Sequence, residues 1–498
     1  MSAGECNDSD LKMLTARSVK WNMIDRVASI MLYTLIGIVL ARELDSAEFG
    51  LVGTVLMFQA FASLFVDSGF SYALIQRKQP SRLDYSTVLW FNLGVAVAVY
   101  VLLWIASPAI AWWYDEPMLV WLGRLTFLSF IFNAASIVQT NRLMKQKNVA
   151  PIALANTVGL IAGGIIAVWL AVTLPPGRKV WAVVWQTNVL NLVRCLVLWI
   201  YTRWLPLMRF SWPALKSFFG VGGSMMSISL LNTVFQNIYT FVIGTFTGMS
   251  KLGYYTQADK WSKMGVASLT QVVTSSFLPT LSDVQDDDER FARASVKMNR
   301  AGSYMLIACM GMAIAVAGPL FHALFGEKWD LAVPLFQILL LRGVFTSMTS
   351  LYNNYVIALG RPRMIVSMEL VRDITAGVAL AACLPFIDMA RGDNMLWGIE
   401  LLLWGQLFAA VVAWAVTVWY VAPMCGRTRV AFIADSLPYV GITAVTMGGM
   451  WLSGLISADA WIQLGVMSLV GVTLYVAINA VAGSQVQRDL FAYLLKRR

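Results

Sequence analysis

Long apolar stretches alternate with short polar loops along the whole chain. Each stretch is close to or longer than the about 20 residues that an α-helix needs to cross a bilayer. The alternation therefore predicts an all-α polytopic membrane protein with fourteen transmembrane helices. Their expected bounds are 19–41, 47–74, 84–113, 117–139, 150–173, 180–202, 215–245, 251–280, 298–323, 331–358, 364–387, 394–421, 433–455 and 461–483.

The basic residues of the loops predict the orientation. With the N-terminus inside, 23 Lys and Arg residues fall in inner loops and tails and 6 in outer loops. Cytoplasmic loops carry an excess of Lys and Arg, so both termini are expected in the cytoplasm. This topology also explains the net charge of +10 without a nucleic-acid partner.

Composition agrees with a membrane protein. Hydrophobic residues make up 58% and charged residues 13% of the chain, with a mean hydropathy of +0.68, whereas soluble domains carry about 25% charged residues. The five cysteines are scattered and are interpreted as helix-packing residues. No HExxH, Walker A or nucleophile-elbow motif occurs, so neither an enzyme, a built-in ATP motor nor a metal site is expected.

A weak internal repeat predicts the domain organisation. Leu40–Gly50 ends in SAEFG and Ile243–Gly253 ends in MSKLG, each where one predicted helix ends and the next begins. Because six helices is an even number, the halves would be parallel repeats, with a substrate site between them near the midplane of the membrane. The predicted regions are a first lobe at 1–210, a second lobe at 211–425, and two appended helices with a tail at 426–498.

Charged residues near the middles of the predicted helices are the candidate functional groups. A charge at that depth costs at least a few kcal/mol and so faces a partner or a wet cavity. Bases outnumber acids by eight to six in this set, which favours an anionic ligand such as a phosphate over internal ion pairs alone. The deepest basic residues are Arg194, Lys260, Lys263, Arg342 and Arg372.

Four segments resemble a known family. LARELDSAEFGLVG (Leu40–Gly53), DSGFSYALIQRK (Asp67–Lys78), GYYTQADK (Gly253–Lys260) and LFGEKW (Leu324–Trp329) are similar to segments of Wzx-type polysaccharide and O-antigen transporters, including colanic-acid exporter-like proteins. These belong to the multidrug/oligosaccharidyl-lipid/polysaccharide flippase superfamily. The resemblance covers nearly the whole chain.

The resemblance implies a flippase of the bacterial inner membrane. Such proteins move undecaprenyl-diphosphate-linked oligosaccharide units from the inner to the outer leaflet for lipopolysaccharide, capsule or exopolysaccharide, and a polymerase and chain-length proteins of the same pathway would be partners. The family fold implies two six-helix lobes and two extra helices. A cationic cavity would use Arg26, Arg194, Lys260, Lys263, Arg342 and Arg372. Candidates for proton or sodium coupling are Asp25, Asp259, Glu369 and Asp373.

Three alternatives stay open at this point. A multidrug or metabolite exporter of the same superfamily would favour an acidic cavity, which the basic excess argues against. A peptidoglycan-precursor flippase would carry the same lipid diphosphate with a different head. A polymerase or glycosyltransferase would need a large periplasmic loop or a nucleotide-sugar domain, whereas the longest predicted loops are about 10–17 residues.

Overall fold

The structure, a computed structural model, describes residues 8–67, 70–77, 79–361, 363–392 and 394–495. This part of the chain is built from nineteen α-helices and two short 3₁₀ segments, with no β-strand, which confirms the all-α prediction. The helices are α1 (Asp8–Glu43), α2 (Ser46–Asp67), α3 (Phe70–Gln76), α4 (Arg82–Trp113), α5 (Met118–Thr126), α6 (Ser129–Lys145), α7 (Ala150–Thr173), α8 (Trp181–Thr202), α9 (Trp212–Thr247), α10 (Met249–Ser282), α11 (Asp288–Ala315), α12 (Ala317–Phe325), α13 (Val333–Ala358), α14 (Arg363–Cys383), α15 (Trp397–Met424), α16 (Arg429–Ala434), α17 (Leu437–Gly454), α18 (Ala460–Val481) and α19 (Gln485–Leu495). The 3₁₀ segments are Glu327–Ala332 and Leu384–Phe386.

Ten spans within the described residues are long and apolar enough to cross a membrane, or eleven if the pair α11 and α12 is counted as one bent span. The expected number of fourteen is therefore not confirmed. Three more long helices, α9, α10 and α14, are not among these spans. Helices α10 and α14 each contain four charged residues, and they carry most of the site residues predicted for the second half of the chain.

Some predicted spans are broken into two helices. The span expected at 117–139 is α5 followed by α6, with Phe127 and Leu128 between them. The span expected at 298–323 is α11 followed by α12, and the two helices meet at a bend of 61°. Helix α11 also begins earlier than expected, because the Asp287 side chain caps it by accepting a hydrogen bond from the Arg290 backbone N–H at 3.0 Å.

The chain divides into two compact units, Met1–Gly253 and Tyr254–Arg498. Within the first unit, α7 packs along α1 and α8, and α9 packs against α2, α3 and α4. Within the second, α13 packs against α11 and α15, α14 lies on α15, and α17 contacts α11 and α18. The division falls inside α10, so the lobe boundaries expected at 210 and 425 stay predictions.

The two segments of the internal repeat contact each other inside the first unit. A Cβ atom on Gly50 would overlap the carbonyl oxygen of Met249, and a Cβ on Gly253 would overlap the carbonyl oxygen of Ser46. The Oγ atoms of Ser46 and Ser250 are 2.6 Å apart. Each glycine thus meets the residue four positions before the other glycine, because only glycine allows backbones to approach this closely.

Candidate functional site

In the first unit, a charged cluster joins α1, α7 and α8. Asn156 Nδ2 on α7 donates a hydrogen bond to Asp25 Oδ2 on α1 at 3.1 Å. Arg194 on α8 lies within electrostatic range of both Asp25 and Tyr33, but no direct ion pair forms between these described residues. Asp25 Oδ1 and Arg194 Nε are buried and have no hydrogen-bond partner among the described residues. The cluster therefore retains polar groups that the described part of the chain leaves unsatisfied.

Glycines on α7 bring α8 close enough to form this cluster. A Cβ atom on Gly159 would lie 2.8 Å from the carbonyl oxygen of Leu190 and 3.5 Å from Arg194 Cβ. One turn later, a Cβ on Gly163 would lie 2.7 Å from the carbonyl oxygen of Gln186. Any larger residue would force the two helices apart, because packed interiors have little spare room. Sequence reasoning identified Asp25 and Arg194 but missed Asn156 and Gly159.

Arg26 follows Asp25 on α1, but its side chain points away from the cluster around Arg194. Its side chain is exposed, and it forms no ion pair with a described acidic residue. Neighbours on a helix differ by about 100° in direction. Arg26 is consequently not part of the cluster around Arg194.

In the second unit, α10 carries three of the predicted residues. Lys263 Nζ lies 2.6 Å from Asp259 Oδ2, an i,i+4 ion pair. Lys260 is exposed and lies over the Trp261 ring, with its Nζ 5.3 Å from the ring centroid. Gln257, on the same helix, is fully buried, and neither atom of its amide has a hydrogen-bond partner.

The polar character of α10 extends beyond the charges that the sequence singled out. Thr256 Oγ1, Trp261 Nε1 and Ser262 Oγ are likewise buried without a partner. Buried polar groups are normally hydrogen-bonded. Because these donors and acceptors are buried in this conformation, a hydroxyl-rich ligand or water would reach them only after neighbouring helices move apart. The signal in the sequence was the density of polar residues in a predicted membrane span.

Helix α14 contains a self-contained charge cluster. Arg372 Nε and Nη2 donate to Asp373 Oδ1 at 3.0 Å and 2.8 Å. Arg372 Nη2 also lies 2.8 Å from Glu369 Oε2. With two carboxylates around one guanidinium, Arg372 already has anionic partners. Its predicted role as a substrate contact stays a prediction, and an incoming anion would compete with these carboxylates.

Arg342 on α13 has no such partner. It forms no ion pair with the described acidic residues of its unit, and its Nε is buried without a hydrogen bond. It lies nine residues into α13, about 14 Å along the helix axis. The six predicted cations therefore fall into two groups: Arg26, Arg194, Lys260 and Arg342 have no direct ion pair among the described residues, whereas Lys263 and Arg372 are paired.

Comparison with known proteins identifies the family. A family model described as "Polysaccharide biosynthesis protein" matches residues 39–334. ExoT of Rhizobium meliloti, a succinoglycan biosynthesis transport protein, is 25% identical over 427 residues, or 85% of this chain and 81% of ExoT. TuaB of Bacillus subtilis, a teichuronic acid biosynthesis protein, is 27% identical, with 69% of this chain and 71% of TuaB covered. WzxC of Escherichia coli, a lipopolysaccharide biosynthesis protein, is 26% identical, with 70% and 71% covered.

Solved structures share the fold. The lipid II flippase MurJ in an inward closed conformation superposes with a TM-score of 0.74 at 12% identity, covering 94% of this chain and all of MurJ. A multidrug resistance transporter of the MATE family, in an inward-facing conformation, gives a TM-score of 0.58 at 16% identity, covering 79% of this chain and 95% of the transporter. Because the family model matches more than half of the chain, the protein belongs to the family of polysaccharide biosynthesis proteins.

Proposed function

We propose that this protein flips undecaprenyl-diphosphate-linked oligosaccharide units from the inner to the outer leaflet of the bacterial inner membrane. As a member of its family it is a multi-pass membrane transporter of the multidrug/oligosaccharidyl-lipid/polysaccharide superfamily and not an enzyme. The relatives named above serve succinoglycan, teichuronic acid and lipopolysaccharide biosynthesis. Their products differ but are all polysaccharides, and the structural neighbour MurJ is a flippase for a lipid-linked precursor, lipid II; these two facts together support the proposal.

Physical chemistry explains why such a protein is needed. Moving a hydroxyl group into hydrocarbon without a hydrogen-bond partner costs about 4–8 kcal/mol. An oligosaccharide has many hydroxyls, and the diphosphate adds charge, so unassisted crossing is negligible. The polyprenyl tail can remain in lipid while the head group moves along polar side chains. The unsatisfied donors and acceptors of α10 would suit the sugar once helix movements expose them, and the cations without a direct ion pair would suit the diphosphate.

The observation that carries the proposal is that Arg194 and Arg342 form no direct ion pair with a described residue. Each lies within a long helix, each has a buried Nε without a partner, and neither is in a direct ion pair within the described residues. Guanidinium groups bind phosphate oxygens through two parallel hydrogen bonds. A guanidinium deep in the membrane that forms no direct ion pair raises the free energy of the protein unless an anion binds to it. A diphosphate supplies that anion during transport.

The proposed function also includes an ion gradient that drives transport, an orientation in the membrane and partner proteins. The chain would work by alternating access, with both termini in the cytoplasm and with coupling to H⁺ or Na⁺. Asp25 is the carboxylate best suited to coupling, because it forms no direct ion pair with a described residue, whereas Asp259, Glu369 and Asp373 are held in ion pairs. A polymerase and chain-length proteins of the same pathway would receive the flipped units.

A deletion strain of the source bacterium, complemented with variants, tests the function. Deletion should abolish the surface glycan and cause undecaprenyl-linked units to accumulate on the cytoplasmic side, where mass spectrometry identifies them. Arg342→Ala should reproduce this defect at normal protein level, whereas the control Arg361→Ala, a loop position, should restore the glycan. An unchanged glycan and lipid pool in the deletion strain, together with altered drug sensitivity, would instead support the exporter alternative.

A further inference from the structure

Arg124 lies between two tryptophan rings at one end of the first unit. Its guanidinium carbon is 4.5 Å from the ring centroid of Trp104 on α4 and 5.2 Å from that of Trp121 on α5. The two tryptophans meet edge to face with centroids 6.5 Å apart, and Tyr100 packs on Trp104 at 5.8 Å. Cation–π contacts use the faces of the guanidinium and leave its N–H edge for other partners.

The protein does not supply those other partners. Arg124 has no hydrogen bond and no ion pair among the described residues. Its Nε is buried without a partner among the described residues, whereas Nη1 and Nη2 are not among the buried unsatisfied atoms. Both Nη atoms are therefore accessible from outside the protein, and four N–H donors remain to be satisfied there.

The two helices that carry these tryptophans present large apolar side chains to the outside. Leu102, Ile105 and Trp121 are 64%, 71% and 56% exposed, and large exposed apolar side chains on membrane helices face the hydrocarbon. Helix α4 has 32 residues, about 48 Å, which exceeds the about 30 Å of hydrocarbon by about 9 Å at each end.

Depth places the guanidinium near the polar boundary of the membrane. Trp104 is nine residues before the end of α4, about 13 Å along the axis. When α4 is centred in the membrane, the Cα of Trp104 therefore lies about 4 Å inside the hydrocarbon layer. Arg124 is six residues after the start of α5, and its side chain extends back towards that start. A long basic side chain in this position directs its charged end towards the membrane interface.

We propose that Arg124, Trp104 and Trp121 form a binding site for the phosphate of an anionic phospholipid in the leaflet where α4 ends and α5 begins. Charge complementarity supports this choice, since one cation without a carboxylate faces the bilayer and matches one phosphate. The rings hold the guanidinium in place, so little side-chain entropy is lost on binding. The site rests on membrane embedding alone and is independent of the cargo proposed above.

Native mass spectrometry of the purified full-length protein tests the site. The protein is titrated separately with phosphatidylglycerol and with phosphatidylethanolamine of the same acyl chains. Wild type should retain more phosphatidylglycerol than phosphatidylethanolamine, and Arg124→Gln should reduce that excess about fivefold or more, because the charge-assisted hydrogen bonds to the phosphate are lost. Arg178→Gln is the matched control, because it removes one exposed charge from an outer loop and should leave the excess unchanged.

Thermal unfolding gives a second readout. Phosphatidylglycerol should raise the Tm of wild type and of Arg178→Gln but not that of Arg124→Gln or of Trp121→Leu, which removes one ring from the site. Equal retention of both lipids by wild type, or equal phosphatidylglycerol binding by wild type and Arg124→Gln, would overturn the proposal. A rise in Tm with inorganic phosphate alone that matches the lipid effect would show a site for free anions instead.

Discussion

The charged cluster around Arg194 in the first unit and the cluster on α14 in the second unit differ in how their charges are satisfied. On α14, Arg372 is held by two carboxylates of the same helix. Around Arg194, three helices contribute, and buried atoms of both the guanidinium and Asp25 remain without partners. Removing one member of a neutralised pair destabilises the fold, whereas a charge left without a direct partner is available to a ligand. The two clusters are therefore expected to respond differently to the same substitution.

The largest expected effect is on transport by Arg194→Gln. Losing charge-assisted hydrogen bonds of about 1.5–3 kcal/mol to a diphosphate corresponds to about a 10–100-fold weaker interaction. Surface glycan in a complemented deletion strain should fall accordingly while the membrane level of the protein stays normal. A wild-type amount of surface glycan in the Arg194→Gln strain would show that this guanidinium does not contact the cargo. The Arg194 cluster would then not differ from the α14 cluster in function.

Arg372→Gln should mainly reduce stability. It leaves Glu369 and the buried Asp373 close together without a cation, which should lower the unfolding free energy by about 1–3 kcal/mol after allowance for the partial exposure of Arg372. Thermal unfolding in detergent measures the change. The double variant Arg372→Gln/Asp373→Asn, which restores charge balance, should recover most of the loss. Additive losses in the double variant would argue against an ion-pair role.

A pair of glycines offers a purely steric comparison. Gly159→Ala should cost about 1–3 kcal/mol, because the new Cβ would press on the carbonyl oxygen of Leu190 and displace α8. Gly377→Ala on α14 is the matched control, since no atom lies within 4 Å of the Cβ it would introduce, and it should stabilise the helix by up to about 1 kcal/mol. Equal effects of both changes on Tm would show that α8 tolerates displacement.

The smallest expected effect is that of Lys263→Gln on stability. The ion pair with Asp259 lies within one helix, and 44% of the Lys263 side chain is exposed. Pairs of this kind contribute about 0.3–0.5 kcal/mol, so a Tm change of no more than about one degree is expected. A loss of glycan without a change in Tm would assign Lys263 to the cargo in spite of its partner.

Short-range spacing in the sequence was sufficient to place some of the candidate site residues next to each other on one helix. The spacings of Asp259 with Lys263 and of Glu369 with Arg372 place each pair on one helix face, and the structure contains both ion pairs. The expected count of fourteen helices stays a prediction, because charges lower the apolar character of α10 and α14 and because a bend divides the span made of α11 and α12. Hydropathy measures composition, whereas a bend depends on packing against neighbouring helices.

Contacts between distant segments could not be predicted. Nothing in the sequence near Asp25 indicates that Asn156 donates to it, since the two are 131 positions apart. The close approach of Gly50 to Met249 joins two segments whose similarity was visible in the sequence, but similarity does not say that the segments touch. Such contacts depend on which helices pack together and at what rotation.

The sequence by itself determined that the chain is a helical membrane protein, how its basic loops are distributed, and which family it resembles. These follow from composition and short-range spacing, because the cost of burying backbone and charge in lipid acts on every segment separately. Short-range spacing already places Arg372 beside Glu369 and Asp373 on one helix. Only the tertiary structure decided the surroundings of Arg194, because Asp25 lies on a different helix that packing brings close to it.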